Sequence, residues 1–157
     1  MPAASSDEWF RAAIARFATL AGTDPFPPHM TLVGEVGVFD RDAVQAAIRG
    51  HGRFSVAFVA VDDEDQRFRC VTLRAAPEPL AELRERLLPV MPSGSTDPYR
   101  PHLSLLYGAL LGDERRRLVE AARLPASLPE VVVDAVAVWD TSPERWTEWR
   151  ELDRWPL

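Results

Sequence analysis

Two short stretches of this 157-residue chain nearly repeat each other, 73 positions apart. Pro28-His29-Met30-Thr31-Leu32-Val33-Gly34 and Pro101-His102-Leu103-Ser104-Leu105-Leu106-Tyr107-Gly108 share the order proline, histidine, apolar residue, hydroxyl residue, leucine. A repeat of this kind requires a fold that offers two similar settings. Both stretches alternate as strands do, and residues i and i+2 of a strand share a face. His29 and Thr31 are therefore expected to point together, as are His102 and Ser104. Met30, Leu32, Leu103 and Leu105 are expected to face a core. Each stretch follows a proline-rich lead-in, which favours extended backbone over helix.

Between these anchors the pattern is that of a mixed fold. Trp9, Phe10, Ile14, Phe17 and Leu20 recur at helical spacing over Asp7–Leu20, and Gly22 ends the run. A strand is expected over His29–Val36. A short helix follows over Asp40–Ile48, with Asp40 as N-cap and Gly50 as its stop. Phe54–Val61 and Phe68–Leu73 read as two strands joined by the acidic, solvated turn Asp62-Asp63-Glu64-Asp65, antiparallel at that loop length. Pro77 or Pro79 opens a helix through Leu88, with Leu80, Leu83, Leu87 and Leu88 as its apolar stripe. A loop over Pro92–Pro98 leads into a strand over His102–Gly108. Asp113–Arg123 reads as a polar-faced helix, and Val131–Trp139 and Trp146–Leu152 as closing strands. No stretch has linker composition, so residues 1–157 are expected to form one α+β domain.

Composition removes several function classes. All 18 basic residues are arginine, and there is no lysine. That excludes a Walker-A phosphate loop, lysine Schiff-base chemistry and ligases that work through a lysine–nucleotide adduct. The net charge of −6 argues against an electrostatic grip on long nucleic acid. Cys70 is the single cysteine, so no intrachain disulfide and no multi-cysteine zinc site can form. No run approaches 18 consecutive apolar residues, and the first residues lack the basic and apolar regions of a signal peptide. A reducing, cytoplasmic setting with no membrane association is expected. Neither a His-Glu-x-x-His nor a His-x-His spacing is present, so no metal site and no cofactor are expected.

A hydroxyl beside an imidazole, occurring twice, suits phosphate-ester chemistry. The hydroxyls can donate to phosphoryl oxygens, and the imidazoles can move protons near neutral pH. With these residues the chain resembles the 2H phosphoesterase superfamily, whose hallmark is two His-x-Thr/Ser motifs. The stretch Asp97-Pro98-Tyr99-Arg100-Pro101-His102-Leu103-Ser104-Leu105-Leu106-Tyr107-Gly108 is similar to the second motif of its cyclic phosphodiesterase branch. Phe68-Arg69-Cys70-Val71, between the motifs, extends the likeness. The resemblance implies an α+β fold of two lobes with pseudo-twofold symmetry, two antiparallel sheets and outer helices around a central cleft. It also implies an opening strand before the first helix, which here is missing or reduced to a few residues.

The resemblance further implies a cyclic phosphodiesterase, a phosphoric diester hydrolase that needs no metal. Its substrate would be a nucleoside 2′,3′-cyclic phosphate or ADP-ribose 1″,2″-cyclic phosphate. His29 and His102 match the catalytic histidines, with water activation assigned to His102 and the acid role to His29. Thr31 and Ser104 match the phosphate-binding hydroxyls. Tyr107 matches an aromatic beside the ligand, although a regular strand would point it away from Ser104, so a bulge or strand end must re-aim it. Two other readings stand: processing of 2′,3′-cyclic or 2′–5′ RNA ends, and a module that binds a cyclic nucleotide without turning it over. The remaining candidates carry no assigned role. His51 reads as an exposed turn residue, Arg115-Arg116-Arg117 as a solvated helix face, Arg69 and Arg100 as solvated arginines, and the carboxyl-terminal tryptophans as packing residues.

Overall fold

The computed structural model describes residues 6–91 and 98–157. In chain order the elements are α1 Ser6–Ala21, α2 Arg41–Ile48, β1 Phe54–Val56, β2 Phe58–Asp63, β3 Val71–Ala75, α3 Leu80–Leu87, β4 His102–Leu106, α4 Gly112–Ala122, β5 Val131–Val133, β6 Ala135–Asp140 and β7 Arg150–Pro156. Single 3-10 turns lie at Arg67–Arg69, Leu88–Val90 and Trp146–Glu148. The expectations for an opening strand and for the loop around Pro92–Asp97 fall outside the described residues.

The chain divides into two compact units, each assembled from three stretches. The first takes the residues up to Met30, Ala57–Ala75 and His102–Val131. The second takes Thr31–Val56, Ala76–Pro101 and Val132–Leu157. Both repeated segments lie where the chain passes from one unit to the other: after Met30 in the first repeat, before His102 in the second. The strand expected over Phe54–Val61 is broken at Ala57 for the same reason, because the chain changes unit there.

In the first unit an antiparallel sheet runs β2-β3-β4, with β3 in the centre. β4 pairs Ser104 with Thr72 and His102 with Arg74. α1 packs on β4 and α4 packs on α1. The buried face of α1 is Phe10, Ala13, Ile14, Phe17 and Ala18. That is a helical stripe rotated slightly from the one the sequence predicts, because Leu20 stays 44% exposed. The acidic turn is more than solvated. Asp62 pairs with Arg74, Glu64 with Arg69, and Asp63 and Asp65 with Arg115. Arg115, expected on a solvated face, is largely buried and also donates to the Leu110 carbonyl, tying α4 to the β2–β3 turn.

The second unit is built on a core of Val44, Ile48, Leu83, Leu87, Met91, Val136, Val138 and Trp155, contributed by α2, α3, β6 and β7. β6 and β7 form an antiparallel ribbon, and β1 pairs with β5. Asp40 caps α2, its carboxylate accepting from Asp42 N at 2.9 Å and Ala43 N at 3.2 Å. The strand expected over His29–Val36 does not form. Its β-structure is one antiparallel bridge, Met30 to Leu103. Three forces replace the ladder beyond Met30. Leu32, Val33 and Val36 pack against the second unit's core, Arg84 donates to the Leu32 carbonyl at 3.1 Å, and Glu35 adopts a left-handed φ of 58° that no strand permits. His51 is half-buried rather than exposed, its Nε2 3.9 Å from Glu82.

Candidate active site

The site residues of the first unit are placed by three local devices. The Met30–Leu103 bridge lays the first repeat antiparallel to β4, and the register that follows puts His29 opposite Ser104. Pro25-Phe26-Pro27-Pro28 keeps the approach extended. It also aims the Pro27 carbonyl at His29, whose Nδ1 lies 2.8 Å away. A carbonyl only accepts, so Nδ1 is the protonated nitrogen and the neutral ring presents its lone pair at Nε2.

That lone pair faces Tyr107, whose hydroxyl is 3.0 Å from Nε2. β4 ends at Leu106, so Tyr107 escapes the strand's alternation and turns back to the side on which Ser104 lies. The strand end thus aims the tyrosine at His29. Tyr107 is buried, stacked on Phe26 with ring centroids 3.8 Å apart and an 11° interplanar angle. Phe68 meets it edge-on at 5.3 Å. Burial pushes the phenol well above its ordinary pKa, while the nearby Ser104 side chain pulls the other way. The group stays a neutral phenol at any physiological pH. Ser104 is buried too, and its hydroxyl donates to the Phe68 carbonyl at 2.9 Å.

His29 keeps a solvent-exposed edge, but the rings of Phe26 and Tyr107 stand 6.0 and 6.4 Å from its own. This surrounding protein lowers its proton affinity below the ordinary histidine value, because the charged form loses water. The Pro27 carbonyl opposes the shift, and the like charge of His102 adds to it. His102, half-buried at the start of β4, lies two residues before Ser104 and so on the same face of the strand that His29 lies against. The structure brings together His29, His102, Ser104 and Tyr107. Thr31 is exposed and is the first residue of the second unit.

The family model described as the 2′-5′ RNA ligase superfamily matches residues 25–145, most of the chain and both repeats. The chain belongs to this superfamily of 2H phosphoesterases. Its mixed architecture of helices and antiparallel sheets is that of the superfamily fold, and phosphoester chemistry is its enzymatic class. No curated protein matches the chain.

Sequence reasoning missed Phe26, Phe68 and the Pro27 carbonyl as parts of this 2H site. The proline run around Phe26 was a usable signal, since a rigid lead-in fixes where its carbonyls point. Phe68 was marked only by its place in the Phe68-Arg69-Cys70-Val71 stretch, which gave it no role at the site. Arg69, read from the sequence as a solvated arginine, is engaged locally by Gln66 and by Glu64 at 3.3 Å. Of the tryptophans, Trp155 is in the second unit's core and Trp149 donates to the Pro143 carbonyl, while Trp139 is exposed. Among the described residues, no three His, Cys, Asp or Glu side chains converge as a metal site. No helix among them is long and apolar enough to cross a membrane.

Proposed function

We propose that the protein hydrolyses a cyclic phosphodiester of a small nucleotide without a metal, the substrate being a nucleoside 2′,3′-cyclic phosphate or ADP-ribose 1″,2″-cyclic phosphate. The observation that carries this reading is the Met30–Leu103 bridge, which lays the first repeat's histidine, held in a defined tautomer, beside the strand that bears the second repeat's His102 and Ser104. Opening the ring requires a proton taken from the attacking water and a proton given to the departing ribose oxygen. The low proton affinity of His29 suits it to the first task, with Nε2 as the accepting atom. This reverses the assignment that the family resemblance implies. His102 then supplies the second proton.

In the step, the water oxygen forms a bond to phosphorus as its proton passes to His29 Nε2. The bond from phosphorus to one ribose oxygen breaks, and that oxygen takes the proton of His102. Thr31 and Ser104 hold the non-bridging oxygens as charge gathers on them. Ser104 exchanges the Phe68 carbonyl for the phosphate to do so. Tyr107, at the edge of the ligand, yields its place at Nε2 to the water.

The superfamily's description supports a second reading, action on the 2′,3′-cyclic phosphate or 2′–5′ linkage of an RNA end. A short terminus needs little positive charge, so the acidic chain does not oppose it. Incubation in EDTA with the four nucleoside 2′,3′-cyclic phosphates, ADP-ribose 1″,2″-cyclic phosphate and a short RNA with a cyclic end separates the readings. The His29→Ala/His102→Ala double variant is the control. Histidine-dependent release of a phosphomonoester from the small substrates is the expected result. Turnover of the RNA alone selects the second reading. Ligand returned unchanged overturns both in favour of a binding module, and activity that disappears with chelator and returns with a divalent cation overturns the metal-free scheme.

A further inference from the structure

Each repeat changes unit beside its histidine, the first after Met30 and the second before His102. Within the first unit the Met30–Leu103 bridge joins the two. Their flanks in the second unit, residues 31–33 and 98–101, share no strand pairing among the described residues. One side chain reaches both. Arg84, half-buried on α3, lies one turn after Leu80 at the margin of the buried stripe Leu80, Leu83 and Leu87. Its Nε donates to the Leu32 carbonyl at 3.1 Å, and its guanidinium carbon lies 5.0 Å from the centre of the Tyr99 ring.

Both contacts answer a local need. The run after Met30 leaves the ladder, so the Leu32 carbonyl has no strand partner and takes its donor from a side chain. The Tyr99 hydroxyl is buried with no hydrogen-bond partner among the described residues, so the ring rather than the hydroxyl is the part of Tyr99 that Arg84 holds. A guanidinium meets both demands at once. Its N–H groups donate in plane, and its delocalised charge is attracted to an aromatic face within about 6 Å. Lysine, a point charge on a flexible stem, keeps one of these contacts at a time. Leu32 directly follows Thr31, and Tyr99 stands three residues before His102, with Pro101 stiffening the backbone between them.

We propose that Arg84 is a positioning residue, which holds Thr31 and the lead-in to His102 in fixed relation through the Leu32 carbonyl and the Tyr99 ring. Its effect on turnover rests on the reading of Thr31 as a phosphate-holding hydroxyl, whereas the coupling of the two flanks through one guanidinium does not. Arg84 acts through Thr31 and not on the substrate itself. A hydroxyl that meets charge building on a phosphoryl oxygen works only where that oxygen will be, and a misplacement of about 1 Å costs on the order of 10²-fold in rate.

Two measurements test it, the first without substrate. In ¹³C and ¹⁵N NMR of the full chain, the Leu32 carbonyl and Val33 amide resonances move in Arg84→Met, which keeps an apolar stem and removes the donor. They also move in Tyr99→Leu, because the guanidinium loses the ring that holds it, and Tyr99→Leu moves them no further once Arg84→Met is in place. Tyr99→Phe, which keeps the ring, leaves them unmoved. The second measurement is kinetic, on the phosphodiester that the wild type turns over, with rates taken per folded molecule. Arg84→Met lowers kcat by about 10–10²-fold with KM little changed, since the lost contact forms in the transition state. Thr31→Ala then costs less in the Arg84→Met background than in the wild type, a coupling that a loss of stability alone does not produce. Arg84→Lys, with an intermediate kcat, keeps the test open if Arg84→Met fails to fold. Leu32 and Val33 resonances unmoved by Tyr99→Leu overturn the coupling of the flanks, and an equal cost of Thr31→Ala in both backgrounds overturns the positioning role. A wild type inactive on every phosphodiester overturns the reading of Thr31 and with it the positioning role, while the spectra still decide the coupling.

Discussion

His29 is prepared for proton transfer by groups on both sides of its ring. The Pro27 carbonyl settles the tautomer, and the aromatic surround lowers the proton affinity. Replacing His29 or His102 with alanine should reduce kcat/KM by about 10²–10⁴, the range for a lost general acid or base. Thr31→Ala or Ser104→Ala should cost about 10²–10³ as lost phosphate donors. Steady-state kinetics on the cyclic substrates measures both, and near-wild-type turnover of His29→Ala would refute the two-histidine scheme. The pH profile carries the sign of the burial effect. A base must be neutral to act, so activity falls as pH drops through its pKa. In the free protein that pKa lies below the ordinary value of about 6.5. The acid limb of kcat/KM should therefore fall below that value and vanish in His29→Ala. If that limb survives the substitution, the base is another group.

α2 shows how a short element is held by its end. It has eight residues, too few to be stable alone, and buries just Val44 and Ile48. Its first turn depends on the Asp40 carboxylate, which satisfies two backbone N–H groups. Asp40→Ala should lower stability by about 1 kcal/mol, read as a drop in the chemical-denaturation midpoint with turnover unchanged, while Asp40→Asn should recover most of it. The N-terminus of α4 uses a different device, because Leu111 has no side-chain acceptor. There Glu114 reaches back to accept from Leu111 N at 3.0 Å.

Neither unit is a continuous stretch of sequence, since the chain passes between them five times. Neither can therefore complete its core from one uninterrupted segment. Leu83 is fully buried in the second unit, and Leu83→Ala should cost about 2–5 kcal/mol through lost transfer energy and the cavity left behind. Differential scanning calorimetry should show one transition moved to lower temperature. Two resolved transitions, with one unmoved, would show that the units unfold independently despite their interleaved chain.

Much of this protein is written locally. The helices of the described residues are bounded by end signals that act within a few residues, as where the Asp40 carboxylate caps α2 and Gly50 follows it at a left-handed φ of 85°. The duplicated proline-histidine segments mark the superfamily because a motif is a matter of residue order. What local order could not decide is the fate of an apolar, β-branched run such as Leu32–Val36. It has strand composition, yet core packing, the Arg84 hydrogen bond and the left-handed Glu35 take it out of any ladder. Arg115 could not be told from its exposed neighbours, because its acidic partners lie 50 residues and more away in the chain. The lowered proton affinity of His29 and the turn of Tyr107 toward it arise from groups separated by 78 positions, whose distance and burial exist only once the sheet has formed.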